Sequence, residues 1–264
     1  MIIDLTGKSA IVTGSTSGIG FAIASGLAQS GADVMINGRN RASVDAARER
    51  LHKSAPNVRL TGVAADLSNA SGVAEFIKQV GEVDILVNNL GIFEPKPFEQ
   101  ITDADWQRFF ETNVMSGVRL SRHYAPRMRK RGWGRIIFVS SESGLNIPVE
   151  MIHYGVTKTA QLAVARGLAE SLAGTGVTVN AVLPGPTRSE GVADFFGKLA
   201  KEHGVSQAQM EQQFIKDHRP TSLIRRLATP DEVANMVVYA CSPQASATTG
   251  AALRVDGGVV RSIG

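Results

Sequence analysis

The sequence is poor in the residues that staple small secreted or metal-dependent folds. It has one cysteine among 264 residues, Cys241, so no disulfide can form within the chain. That cysteine stands in "VVYACS", an apolar helical pattern, and is expected to be a buried, inert thiol. The five histidines are scattered and none has ligand spacing, so no metal site is expected. No apolar run is long enough to span a bilayer, and the opening "MIIDLTGK" lacks the apolar core of a signal peptide. A soluble, cytoplasmic protein with no membrane partner is the expectation. The charge imbalance is small, +4, and calls for no nucleic acid. The densest basic stretch, "RMRKRGWGR" from Arg127 to Arg135, reads as a solvated helix end and loop.

What is present is a core. Hydrophobic residues make up 43% of the chain, enough for one large domain over 1–264. Seven short apolar runs recur: "SAIVTG", "DVMING", "RLTGVAAD", "DILVNN", "RIIFVSS", "VTVNAVLPG" and "AALRVDGG". They are apolar on both faces, as buried parallel strands are. Helical patterns such as "IGFAIASGLAQSG" and "TAQLAVARGLAESLAGTG" lie between them and end in glycine. Strand and helix in alternation predict an α/β fold, a single doubly wound parallel sheet of Rossmann type with helices on both faces. One polar, helix-prone stretch, 188–222, breaks the rhythm just after a strand end. Ligands in such folds bind at those ends, so this insertion is a candidate helical lid over a substrate.

The first strand runs into "TGSTSGIG". Gly14, Gly18 and Gly20 allow a tight turn, close approach of backbone N–H groups to phosphate, and tight packing of the helix that follows. Gly14, Ser15, Ser17, Gly18, Ile19 and Gly20 are therefore candidate contacts for a dinucleotide at a helix N-terminus. The spacing GxxxGxG differs from the GxGxxG fingerprint. The second strand ends in "INGRN", with no acid to take a ribose 2′-hydroxyl. Arg39 is placed instead to pair with a 2′-phosphate, which favours NADP and leaves NAD possible. Asp66 and Leu67, at the third strand end, are candidates for the adenine side, with a helix cap as the competing role for Asp66.

"HYGVTK" puts Tyr154 and Lys158 four residues apart, on one helix face. A free tyrosine titrates near ~10. A neighbouring ammonium stabilises the phenolate, so the pair is expected to lower the tyrosine toward operating pH. His153, beside it, is expected to serve a pocket wall or the surface and not catalysis.

Together "TGSTSGIG", "NNLG", "TNV", "VSS", "YGVTK", "PGPT" and "VDGG", in that order, make the chain resemble the short-chain dehydrogenase/reductase family. The resemblance spans nearly the whole sequence. It implies Tyr154 as acid/base, Lys158 as its partner, Ser141 as the group orienting the substrate oxygen, and Asn113 as holder of a relay water. Ser141 is preferred over Ser140 because it precedes Tyr154 by the family's usual thirteen residues. Asn88, Asn89 and Gly91 would line the cofactor side. Pro184, Gly185 and Thr187 would meet the nicotinamide carboxamide, with Ser189 able to share the role of Thr187. Leu90 departs from the alanine usual in "NNAG" and must be accommodated by repacking.

The resemblance implies hydride transfer between NADP(H) and a small-molecule carbonyl or secondary alcohol, and commonly a homotetramer. A reductase of beta-ketoacyl carrier-protein substrates is the nearest alternative. A nucleotide sensor with lapsed catalytic groups is the alternative of another class, and it conflicts with the presence of Ser141, Tyr154 and Lys158. The expected substrate wall is "GLNIPVEMIH", Gly144 to His153, with Phe195, Phe196, Met210 and Phe214 of the lid. This wall is mostly apolar with few polar handles, which fits an apolar or mixed substrate of modest size and leaves steroid, sugar, acyl thioester and simple ketone open.

Overall fold

A computed structural model describes residues 2–263, the side chain of Phe195 excepted. All seven expected strands form, as β1 Ser9–Val12, β2 Asp33–Gly38, β3 Leu60–Ala64, β4 Ile85–Asn88, β5 Gly134–Val139, β6 Val177–Pro184 and β7 Ala252–Val255. They make one sheet of order β3-β2-β1-β4-β5-β6-β7, and every pairing is parallel. The order reverses at β1 and β4, whose carboxyl ends open the crevice where ligands of such folds bind.

The strands are apolar throughout because alternate residues feed two cores. Val12, Ile85, Val87, Ile137 and Val182 point into one. Ile11, Leu86, Ile136, Phe138 and Leu183 point into the other. The first is covered by α1 Gly18–Gln29, α2 Arg41–Ser54 and α9 Pro230–Cys241. The second is covered by α3 Ala70–Gln79, α5 Ser116–Arg131 and α6 Ile152–Ser171. Leu90 packs against this second core, which is how the side chain larger than alanine is accommodated. Cys241 is fully buried in the first, and burial pushes its thiol up to about 12.

Two irregular pieces position the site. A π-helical turn, Glu111–Met115, joins α4 Asp103–Phe110 to α5. The segment 188–222 forms two helices, α7 Glu190–His203 and α8 Gln207–His218. They carry a small apolar cluster of their own, in which Phe196, Ile215 and Leu227 are buried. In the basic stretch Arg127, Arg129 and Lys130 are exposed, as a solvated helix end should be, while two arginines are tied down. Arg131 pairs with Glu82 at 2.7 Å, and Arg135 is buried against the carbonyls of Gly134, Gly176 and Ser242.

Candidate active site

The glycine loop leaves β1 and enters α1 at the crevice. Gly14 and Gly18 have φ of +60° and +56°, a region that side chains disfavour. A Cβ at Gly20 would lie 2.4 Å from the Gly14 carbonyl and 2.5 Å from the Asn89 amide, so no side chain fits there. Asn89 Nδ2 donates to the carbonyls of Thr13 (2.8 Å) and Gly14 (3.1 Å) and braces the loop. Five other helices, α2, α3, α4, α8 and α9, begin with a side chain capping their free N–H groups. At α1 Ser17 makes no such bond. The helices α5, α6 and α7 lack one as well; at α1 the glycine loop brings the free N–H groups to the crevice, where they suit a pyrophosphate.

Several expected cofactor contacts are placed differently. Ser15 is buried, donating to Val12 O at 2.6 Å and accepting from Asn37 N at 3.1 Å; its hydroxyl braces the turn. Asn88 turns away from the crevice toward Ser121 on α5, at 3.2 Å. The side chain of Leu67 lies in the second core, leaving its backbone as the part able to meet a ligand. Asp66 is exposed and accepts from Ser68 N at 3.1 Å. The cap of α3 is Asn69, so the capping role considered for Asp66 is filled by its neighbour. At the end of β2 the buried Asn37 is tied to Gly14 N, Val63 O and Ala65 O. Arg39 is exposed and makes no ion pair among the described residues.

Beyond the loop a cavity of about 190 Å³ gathers Ile19, Asn89, Gly91, Ser141, Tyr154 and Lys158, with Pro184, Gly185, Thr187 and Ser189 on its far wall. The turn after β5, α6 and the end of β6 converge there. Ser140, the rejected serine, donates to the Lys158 carbonyl at 2.8 Å and is used up in packing. Thr187 donates to Gly185 O at 2.9 Å, and it and Ser189 both face the cavity. A larger cavity of about 500 Å³ adjoins it, sharing Phe93, Thr187 and Val192. Phe196, Met210 and Phe214 line it from the α7–α8 side. Of the expected wall Gly144–His153, Glu150 and Met151 reach this cavity. Leu145, Ile147 and Val149 are exposed instead. Phe195 has its side chain outside the described residues. His153 is neither wall nor surface. It is fully buried, 4.0 Å from the Phe109 ring, and burial pushes its imidazole down.

The electrostatics differ from the simple tyrosine–lysine picture. Tyr154 is raised, not lowered, from its ordinary value. Burial is the main cause and the Glu142 carboxylate the second, while a hydrogen bond with Ser141 and the charge of Arg219 act the other way. Burial lowers Lys158 to about 7. Its ammonium lies 5.5 Å from the Tyr154 ring centre and donates to Val139 O (3.0 Å) and Gln161 Oε1 (3.1 Å). Gln161 Nε2 in turn donates to the Asn113 carbonyl at 2.7 Å. The Asn113 side chain itself is engaged by Ile92, backbone N and O, and by Thr157 Oγ1.

Three residues of this site were not foreseen. Gln161 had a signal, since it sits at i+3 from Lys158 on the same face. Glu142 had one too, an acid next to the chosen serine in "SSES". Arg219 had none, because it arrives from 77 residues away to meet Glu142.

A family profile described as "Enoyl-(Acyl carrier protein) reductase" matches residues 14–260. The chain is 49% identical over 263 residues to the uncharacterized oxidoreductase YvaG of Bacillus subtilis, covering 100% of both. It is 33% identical to D-beta-hydroxybutyrate dehydrogenase of Cupriavidus necator, covering 97% of this chain and 99% of the other. L-sorbose reductase of Gluconobacter frateurii, solved with NADPH and L-sorbose, superposes with a TM-score of 0.93 over 100% of both chains at 33% identity.

Proposed function

The chain belongs to the short-chain dehydrogenase/reductase family, and we propose that it is an NADPH-dependent reductase of an uncharged, largely apolar ketone, reversible toward the secondary alcohol. The observation that carries this is the meeting of Ser141, Tyr154 and Lys158 in one cavity with the glycine-loop side of the crevice. NADPH, when bound, supplies the hydride. Tyr154 gives its phenolic proton to the substrate oxygen as the carbonyl carbon takes the hydride. Ser141 hydrogen-bonds the same oxygen, and Lys158 is placed to bond the ribose. General acid catalysis of this kind contributes roughly 10²–10⁴-fold. The open N-terminus of α1 suits the pyrophosphate of either dinucleotide, and the unpaired Arg39 favours the 2′-phosphate of NADP, with NAD as the weaker alternative.

The large cavity supports the substrate class. Most of its lining is apolar, from Phe, Leu, Met, Pro and Val side chains, and Glu150 and Asp217 are among its polar residues, with Thr187, Gln213 and His218. The nearby cation, Arg219, is already shared by Glu142 and Glu150. A substrate carboxylate would meet acid there and find that cation engaged. The lid role of 188–222 is part of this reading, since α7 and α8 supply much of that wall. The apolar wall also favours a second reading, an acyl thioester.

The test is turnover of acetophenone, a ketose and an acetoacetyl thioester with NADPH and NADH. Acetophenone reduced with NADPH, and lost in Tyr154→Phe, is expected. A ketose reduced far better than the aryl ketone would overturn the apolar assignment. The best rate on the thioester would favour the acyl reading.

Two coarser properties complete the proposal. Among the described residues no helix is long and apolar enough to cross a membrane, and a cytoplasmic location is proposed. A homotetramer is proposed too, supported by exposed Phe110 and Val156 beside the π turn and on α6. Light scattering that finds a stable monomer would exclude it.

A further inference from the structure

Behind Ser141 lies a buried acid that the reaction outlined above does not use. Glu142 is 3% exposed and Arg219 is 6% exposed. Arg219 Nε donates to Glu142 Oε1 at 2.8 Å, and its Nη1 donates to Glu150 Oε1 at 3.1 Å. Arg219 follows the last turn of α8, so the lid supplies the cation. Glu142 Oε2 accepts from the Ser141 hydroxyl, from Ser143 N at 2.6 Å and from Ser143 Oγ at 2.9 Å.

A serine hydroxyl has one proton. In the structure that hydroxyl donates to Glu142 Oε2, so it must turn away from Glu142 to stabilise a phenolate at Tyr154 or to bond a substrate oxygen. The carboxylate, however, does not depend on it. With Ser143 on one oxygen and Arg219 on the other, it stays satisfied when the Ser141 proton swings away. Without Arg219 one oxygen would be buried and bare, and its charge would be uncompensated beside Tyr154. The charged groups arranged around Tyr154 are Lys158 on its own helix, Glu142 from the turn after β5, and Arg219 from the end of α8, with Glu150 behind Arg219.

We infer that Glu142 is a positioning residue that holds the Ser141 hydroxyl until a substrate oxygen takes its proton and sets the field at Tyr154, and that Arg219 is the counter-ion through which the lid makes it competent. This rests on Tyr154 being the acid/base. A seated lid and a ready proton donor are then one condition, because the same guanidinium holds both.

The sign of the effect follows from charge. A carboxylate opposes formation of phenolate and a guanidinium favours it. The experiment is an ultraviolet-difference titration of tyrosinate. Each variant is compared with its own Tyr154→Phe form, with and without saturating NADP⁺. Relative to wild type, Glu142→Gln should titrate about one pH unit or more lower. Arg219→Met should titrate higher, and the double variant should return toward wild type. The pH profile of acetophenone reduction should move in the same order, with Arg219→Lys recovering most of the Arg219→Met loss. If Arg219→Met does not fold, Glu142→Gln and the double variant carry the test. A Glu142→Gln protein whose Tyr154 titrates no earlier than wild type overturns the inference. Turnover that survives Tyr154→Phe would instead strike at the reductase reading, while the titration still reports on the pair.

Discussion

Lys158 and Gln161 are joined on one face of α6, ammonium to amide oxygen, at 3.1 Å. Through its own NH₂ group Gln161 reaches the backbone carbonyl of Asn113, which lies in the π turn, where the regular helical ladder is interrupted. The resemblance placed a water held by Asn113 in this region. A side chain, Gln161, also links that carbonyl to Lys158. Gln161→Leu would remove this donor from the Asn113 carbonyl and take a partner from Lys158. Hydrogen bonds to charged groups contribute about 1.5–3 kcal/mol, so turnover should fall by roughly ten-fold or more, with weaker NADPH binding. Steady-state kinetics beside a fluorescence titration of NADPH checks this. Unchanged kcat and affinity would mean that the bridge only packs the helix.

Cofactor choice is assigned to Arg39. It is exposed and not committed to another side chain, whereas its neighbour Arg41 is paired to Asp45 at 2.9 Å. Arg39→Ala should weaken NADPH far more than NADH, by roughly ten-fold or more for a lost charge-assisted contact. Equal losses for both cofactors would show that the 2′-phosphate is held elsewhere.

Lys158 makes stability depend on pH. Its folded value of about 7 lies below the ordinary lysine value of 10.5. Between those values the unfolded chain holds a proton that the folded chain has released, so this residue makes stability rise with pH across that window. The slope approaches about 1.4 kcal/mol per pH unit. Lys158→Met, uncharged and of similar length, should lack that rise and be the more stable protein at pH 7 and below. Thermal unfolding of both from pH 6 to about 10 tests it. Parallel curves would show that the ammonium is better solvated in the fold than its burial implies.

Charge at the substrate cavity gives a fourth expectation. With Arg219 engaged and Glu150 and Asp217 facing the cavity, a 3-oxo acid should be reduced far more slowly than its neutral methyl ester. The two differ in one ester group, so their kcat/KM ratio isolates the charge. A ratio near one would mean that the carboxylate avoids those acids.

Much of this was legible in the sequence, and the reason is local. All seven strands announce themselves because both faces are buried, and the glycine loop, Tyr154 and Lys158 lie within continuous motifs. Ser141 was separable from Ser140 by spacing alone; in the fold both line the cavity, with Ser140 donating to the Lys158 carbonyl and Ser141 to Glu142. What stayed hidden depends on contacts between distant segments. The raised Tyr154 comes from burial and from Glu142, and the ion pair of Glu142 needs a residue from the end of α8. Asn88 and Asn89 are adjacent and alike in type, yet one faces α5 and the other the glycine loop. Strand alternation decides that, and it required the register of β4 to be known.

The apolar cluster of α7 and α8, built on Phe196, Ile215 and Leu227, is separate from the two cores that hold the sheet. Changes well apart in space combine almost independently. Residues such as Phe196, Met210 and Phe214 can therefore be exchanged to reshape what the cavity accepts with little cost to the sheet. Such an arrangement is a modular one, in which a stable hydride-transfer platform can acquire new substrates by drift in one appendage, within the limit that Arg219 still reaches Glu142.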